Sequence, residues 1–220
     1  MKSLLYIIRH GETDYNVRGL LQGQLNIPLN QNGELVAVLT AKALQDVKFD
    51  RVITSPLLRA YRTAELLLAG NRVSDAPIET DDRLKEFAFG EWEGRPCRPT
   101  DDEEMAALND FFYRPLQYCG APGGESTAQV LARTGEFLKE VANDPRNNGK
   151  TILISTHGGA MRALLNALYE DKEDFWHGGV PDNCAINILS AVDGKLSFLA
   201  EDAVFYDRTL SHNPYNNVVG

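Results

Sequence analysis

The chain of 220 residues holds only 3 cysteines, Cys97, Cys119 and Cys184, with no C-x-x-C pair. An odd, scattered set argues against a disulfide framework and fits a reducing compartment, so a cytoplasmic protein is expected. Positive charge is scarce too: 22 Lys and Arg against 31 Asp and Glu leave a formal net charge of -9. Such a balance argues against nucleic acid or an anionic membrane as a partner. An anionic substrate would need a local basic pocket inside this acidic shell. Long apolar runs are missing, and Leu4–Ile8 is too short for a membrane span or a signal-peptide core. No Walker A sequence, no repeat and no clustered His, Asp or Glu of metal-site type is visible. The expectation is therefore neither P-loop nucleotide hydrolysis nor a metal site, and no cofactor.

What is present reads as one ordinary α/β domain over residues 1–220, with 43% hydrophobic and 24% charged residues. Leu4–Ile8 and Thr151–Ser155 are short apolar runs of the kind buried on both faces of a parallel sheet. Arg51–Thr54 predicts a further strand, and Ala185–Leu189 and Leu196–Ala200 predict two more joined at Asp193-Gly194. Asn30 predicts the cap of a helix over 31–45, with Leu35, Val38, Leu39 and Lys42 at helical spacing. Ser55-Pro56 reads as an N-cap followed by proline, opening a helix to about Leu68. Ser126 predicts the cap of a helix whose stripe is Val130, Leu131, Thr134, Phe137, Leu138 and Val141. Strands alternating with helices imply a three-layer α/β/α arrangement around a mostly parallel sheet. Residues 95–124, with prolines at 96, 99, 115 and 122, read as an irregular insertion with one short helix over the active site. The polar tail Ser211–Gly220 reads as a frayed end.

Two strands finish alike, one at Arg9-His10-Gly11 and the other at Thr156-His157-Gly158. If they are adjacent and parallel, both histidines reach one carboxyl edge, where ligands bind in such sheets. A lone histidine is most simply a core residue bonded to backbone. One that follows a fixed cation is poorly placed for a metal and well placed for a phosphate. Arg59 falls in the first turn of the helix after Ser55, where helix N–H groups and a bidentate guanidinium both favour anions. Arg62 reads as a surface ion-pair residue, outside the pocket. Glu86 supplies a carboxyl group just before the turn Gly90-Glu91-Trp92-Glu93-Gly94. The set suits phosphoryl transfer to nitrogen. A neutral imidazole attacks phosphorus, cations offset charge on the equatorial oxygens, and a carboxylic acid protonates the alkoxide.

These residues lie in a longer series: R-H-G-E-T (9–13) with Asn16, Q-G (22–23) with P-L (28–29), S-P-L-L-R-A-Y-R-T-A (55–64), L-K-E-F-A-F-G-E-W-E-G (84–94), G-G-E-S (123–126) and T-H-G-G (156–159). The series resembles the histidine phosphatase, or phosphoglycerate mutase-like, superfamily over nearly the whole chain. The resemblance implies that His10 is phosphorylated and that Arg9, Arg59 and His157 complete the phosphate pocket. It also implies that Glu86 is the proton donor and that Asn16, Gln22, Gly23 and the Gly158 N–H line the pocket. Asn26 and Asn30 depart from the common pattern and look structural. The glycolytic mutases of the family read E-R-H-Y-G where this chain reads Glu86-Phe87-Ala88-Phe89-Gly90. The apolar replacements favour a metal-independent phosphatase of a small phosphorylated metabolite over a mutase that uses a bisphosphorylated primer. A phosphate-binding module without turnover is the third reading. The alcohol carried by the substrate and the oligomeric state, a homodimer included, stay open.

Overall fold

The computed structural model describes residues 2–212. In chain order its elements are β1 (Lys2–Arg9), α1 (Asp14–Arg18), α2 (Gln31–Ala43), β2 (Arg51–Thr54), α3 (Leu58–Ala69), β3 (Ile78–Thr80), α4 (Leu108–Tyr113), α5 (Thr127–Asn143), β4 (Thr151–Thr156), α6 (Gly158–Leu165), β5 (Ile186–Val192) and β6 (Lys195–Ala203). The strands make one six-stranded sheet in the order β3-β2-β4-β1-β5-β6. β4 pairs in parallel with both β1 and β2, and β3 joins β2 in parallel. The β5–β6 hairpin is antiparallel and completes the far edge.

Side chains alternate across each central strand, and the two faces bury different helices. Leu5, Ile7, Ile53, Ile152 and Ile154 face α5 and α6 through Phe137, Leu138, Met161 and Leu164. Ile8, Val52 and Leu153 face α2 and α3 through Val36, Ala37, Ala41, Ala64 and Leu67. This is the three-layer α/β/α fold. Each fully buried Leu or Ile contributes about 1.5–3 kcal/mol over exposure. The continuous apolar runs of β1 and β4 follow from having both faces covered.

A third apolar cluster sits outside the sheet. Phe87, Phe89 and Trp92 meet Met105, Leu108, Phe111 and Phe112 of the 95–124 segment, with Phe175 and Trp176 beside them. Phe111 is its centre, with ring centroids 5.1 Å from Phe89 and from Trp176 and 5.3 Å from Phe87, all edge-on. Besides α4, the segment contains 3₁₀ turns at Glu103–Met105 and Pro115–Gln117.

Some sequence expectations are corrected. Ser55 does not cap α3, which begins at Leu58. The donor at its first residue is met from a distant loop, where Asn26 Oδ1 accepts from the Leu58 N–H at 2.7 Å. α2 is capped by Asn30 as expected, but its buried face is Gly33, Val36, Ala37, Thr40 and Ala41. Leu35 and Val38 point to solvent, at 47% and 49% exposed. The small residues are inside because the helix presses on backbone: a Cβ on Gly33 would lie 2.0 Å from the Glu12 carbonyl oxygen. At the end of the described chain, Ser211 donates to Asp182 Oδ1 and His212 Nδ1 lies 2.8 Å from Glu12 Oε2, so these residues are not frayed. The rest of that tail, 213–220, lies outside the described residues. α1 and β3 were not expected at all. No helix among the described residues is long and apolar enough to cross a membrane.

Candidate active site

β1 and β4 are neighbours, with Arg9 opposite Thr156, so His10 and His157 leave the sheet side by side. Their ring centroids are 5.1 Å apart. His10 Nδ1 lies 2.6 Å from the Gly11 carbonyl oxygen, and Arg59 Nε donates to His10 Nε2 at 3.3 Å. A carbonyl accepts and a guanidinium donates, so these partners assign the imidazole proton to Nδ1 and the lone pair to Nε2. Burial, then the charges of Arg59 and Arg9, hold the His10 pKa well below its usual 6.5. The ring is therefore neutral, with its lone-pair nitrogen turned to a cation.

Arg59 is completely buried. Its fork donates to the Leu25 carbonyl at 2.8 Å and the Gly23 carbonyl at 2.7 Å, which ties it to the loop carrying Gln22 and Gly23. Gly23 has φ +50°, and a Cβ there would strike Glu93 Oε1. That carboxylate oxygen instead accepts from the N–H groups of Gln24 and Phe89. Arg9 Nη1 donates to the Pro181 carbonyl. The Thr13 hydroxyl lies within 3.0 Å of both Asn16 Oδ1 and Gln22 Oε1, which orients the two amides. Asn16 Nδ2 is buried with no hydrogen-bond partner.

His157 is the N-cap residue of α6, and its Nε2 lies 2.8 Å from Ser55 Oγ. Ser55 Oγ also accepts from the Leu57 N–H at 3.3 Å. The hydroxyl's own proton is then best directed to Nε2, which leaves the imidazole proton on Nδ1. That atom is buried without a hydrogen-bond partner. Burial, then Arg59 and His10, push the His157 pKa well below 6.5 as well. Sequence reasoning missed Ser55 in this role because S-P was read as a helix cap.

Glu86 sits opposite, at the N-terminus of α6. Its Oε1 accepts from Ala160 N at 2.8 Å and Phe87 N at 3.0 Å, and its Oε2 accepts from Gly159 N at 3.1 Å. The first N–H groups of α6 thus hold the carboxyl group. Gly158 gives room rather than a side chain: a Cβ there would lie 2.7 Å from Val180. Arg62 pairs with Glu34 at 2.9 Å and with Glu65, away from the pocket.

The cleft above these groups opens to solvent. Arg9, His10, Asn16, Gln22, Gly23, Arg59, Glu86 and Gly158 form its floor. Leu20, Leu21, Phe89, Phe111, Phe112, Trp176 and Val180 form its wall. His157 is behind the floor and does not line the cleft. Among the described residues, no group of three His, Cys, Asp or Glu side chains could hold a metal ion.

A model of the histidine phosphatase superfamily, branch 1, matches residues 5–201. The chain belongs to this superfamily. It is 32% identical over 195 residues to the uncharacterized phosphatase PhoE of Bacillus subtilis, covering 89% of this chain and 88% of the relative. It is 34% identical over 170 residues to the glucosyl-3-phosphoglycerate phosphatase of Mycobacterium tuberculosis, covering 74% of each. The solved structure of Bacillus stearothermophilus YhfR superposes with a TM-score of 0.79 at 29% identity, covering 91% of this chain and 97% of that one. By this kinship the histidine phosphatase described here is a phosphoric monoester hydrolase.

Proposed function

We propose that this phosphatase hydrolyses phosphate monoesters of small, uncharged, largely apolar alcohols through a phosphohistidine on His10, without a metal. The observation that carries the reading is the pairing of His10 Nε2 with Arg59 Nε, which leaves a neutral imidazole lone pair beside a buried cation. The lone pair attacks phosphorus, and the P–O bond to the alcohol breaks. Arg9, Arg59 and Asn16, which line the cleft, take up charge on the phosphoryl oxygens, while the buried His157 stands behind them with its ring centroid 5.1 Å from that of His10. Such stabilisation is the main demand of phosphoryl transfer. The Glu86 carboxyl protonates the departing oxygen. The resulting carboxylate then takes a proton from a water that attacks the phosphohistidine, releasing phosphate and restoring His10.

The choice of alcohol rests on the wall. Phe89, Phe111, Phe112 and Trp176 offer apolar surface, and the cations that line the cleft, Arg9 and Arg59, both belong to its floor. Arg95, Arg98 and Arg114 do not line it; Arg95 pairs with Asp102 and Arg114 with Asp110. A carboxylate or second phosphate on the substrate would meet no cation there, which disfavours a mutase. In this reading 95–124 is an insertion in a single domain that sets specificity. The protein works in the cytoplasm, where its free cysteines stay reduced.

The test is a panel of monoesters assayed with EDTA: phenyl, p-nitrophenyl and simple alkyl phosphates beside 3-phosphoglycerate and phosphoserine. Release of phosphate from the esters of uncharged alcohols, with 3-phosphoglycerate and phosphoserine at least about tenfold poorer in kcat/KM, is expected. Interconversion of 3- and 2-phosphoglycerate without net release would replace the reading with a mutase.

A further inference from the structure

The segment that carries Glu86 is irregular: it follows a 3₁₀ turn at Asp82–Leu84 and precedes another at Gly90–Trp92. Its backbone carbonyls have no helix or sheet ladder to join. Three of them are met instead by a single side chain from α5. Arg133 Nη1 donates to the Arg83 carbonyl at 2.8 Å and the Lys85 carbonyl at 2.7 Å, and Nη2 donates to the Glu86 carbonyl at 3.0 Å. The same fork is locked by Glu125, whose Oε1 accepts from Arg133 Nε at 2.8 Å and whose Oε2 accepts from Nη2 at 2.9 Å. Glu125 Oε2 also accepts from the Ala88 N–H at 3.0 Å, on the other side of Glu86. Gln24 Nε2 adds a donor to the Glu86 carbonyl at 3.2 Å.

We propose that Arg133, locked by Glu125, is a positioning residue that sets the Glu86 carboxyl at the leaving-group oxygen. The inference rests on the acid role of Glu86 given above. The main chain on both sides of Glu86 is fixed by this pair, while the carboxyl end is fixed by α6. Only a planar guanidinium can serve three carbonyls and a carboxylate at once; an ammonium has the charge but not the fork. A misplacement of about 1 Å in a catalytic group can lower a rate about 10²-fold. Arg133 also lies near enough to His157 to add to the field that lowers its pKa. A role through charge alone would therefore survive in a lysine variant, whereas a role through shape would not.

The experiment compares kcat/KM for p-nitrophenyl phosphate, phenyl phosphate and an alkyl phosphate in wild type, Arg133→Met, Arg133→Lys and Glu86→Gln, with folding checked by circular dichroism and Tm. This ratio reports the step up to phosphoryl transfer, where a good leaving group needs no proton. Both Arg133 variants are expected to lose about 10–100-fold on the alkyl ester and less than about threefold on p-nitrophenyl phosphate, with KM little changed. Their kcat for p-nitrophenyl phosphate falls as well if hydrolysis of the phosphohistidine limits it, because Glu86 then acts as the base. If the Arg133 variants fail to fold, Glu125→Gln gives the same pattern at smaller size. Equal losses on all esters, or full rescue by Arg133→Lys, overturn the positioning role when Glu86→Gln itself discriminates among the esters. If Glu86→Gln does not discriminate, it is the acid role of Glu86 that falls.

Discussion

At and just behind the floor of the cleft each candidate catalytic side chain is tied to backbone or to a dedicated partner: Arg59 to the Gly23 and Leu25 carbonyls, His10 to the Gly11 carbonyl, His157 to Ser55, Glu86 to the N–H groups of α6. The wall a few residues away is held by ring packing around Phe111. Hydrogen bonds fix direction, as placing a phosphoryl group requires. Ring packing fixes volume and excludes water, and it accepts more than one apolar shape. The floor should therefore be intolerant and the wall adaptable.

That contrast can be broken or sharpened by substitution. His10→Ala carries the largest expected effect: at least ~10⁴-fold in kcat, with loss of the acid-labile phosphoenzyme in rapid-quench labelling. The phosphate ester of an uncharged alcohol should still bind the variant, since the wall is untouched. Next is Gly33→Ala, which puts a Cβ against the Glu12 carbonyl and must move either α2 or the loop after His10. A fall of about 10²-fold in kcat/KM is expected, with a lower Tm. The matching substitution at Gly11 would meet the Gly33 carbonyl at 2.5 Å and should behave alike. Unchanged activity in both would show that the floor is softer than its contacts imply.

Acid should act on the floor as well. The folded pKa values of His10 and His157 lie below 6.5, so between those values and 6.5 the unfolded chain binds more protons. Stability is then complete above about pH 6.5 and declines as pH falls, by up to about 1.4 kcal/mol per pH unit for each histidine. Urea titrations at pH 7.5 and 5.5 check this. The acid limb of kcat/KM should lie well below 6.5, once ionisation of the ester is allowed for. At the wall, Leu20→Arg sets a cation among the apolar side chains and should raise the preference for 3-phosphoglycerate over phenyl phosphate about tenfold, or ~1.4 kcal/mol. The smallest effect is a control away from the cleft. Gly135 lies within α5 with open space around its Cα, and Gly135→Ala should stabilise by about 0.5–1 kcal/mol without changing kcat/KM.

Much of the floor was legible in the sequence because its chemistry follows strand ends. The apolar runs of β1 and β4 stop at Arg9-His10 and Thr156-His157, and a parallel pairing is enough to join the histidines. Contacts made across the fold were not legible. Ser55 looks like a cap in sequence, but Asn26 from another loop meets the Leu58 N–H and leaves Ser55 to His157. The buried face of α2 was not legible because Leu35 and Val38 are more apolar than Gly33 and Ala37, and only the closeness of the Glu12 backbone shows why small residues face inward. Arg133 looks like any surface arginine of an amphipathic helix until the carbonyls of Arg83, Lys85 and Glu86 are placed beside it. β3, three residues long, is ordered by its pairing with β2 rather than by any pattern of its own.

The bond from Leu58 N–H to Asn26 makes the loop 22–26 and the start of α3 one unit, since the same loop also receives the fork of Arg59. A long arginine side chain ordinarily loses about 1.5–2 kcal/mol of rotamer freedom when it is immobilised. Here that loss occurs during folding, before any substrate arrives. Calorimetry of vanadate or phosphate binding should accordingly show little ordering entropy from Arg59, whereas Asn26→Ala should make the same association entropically costlier although no side chain assigned to the anion has been changed.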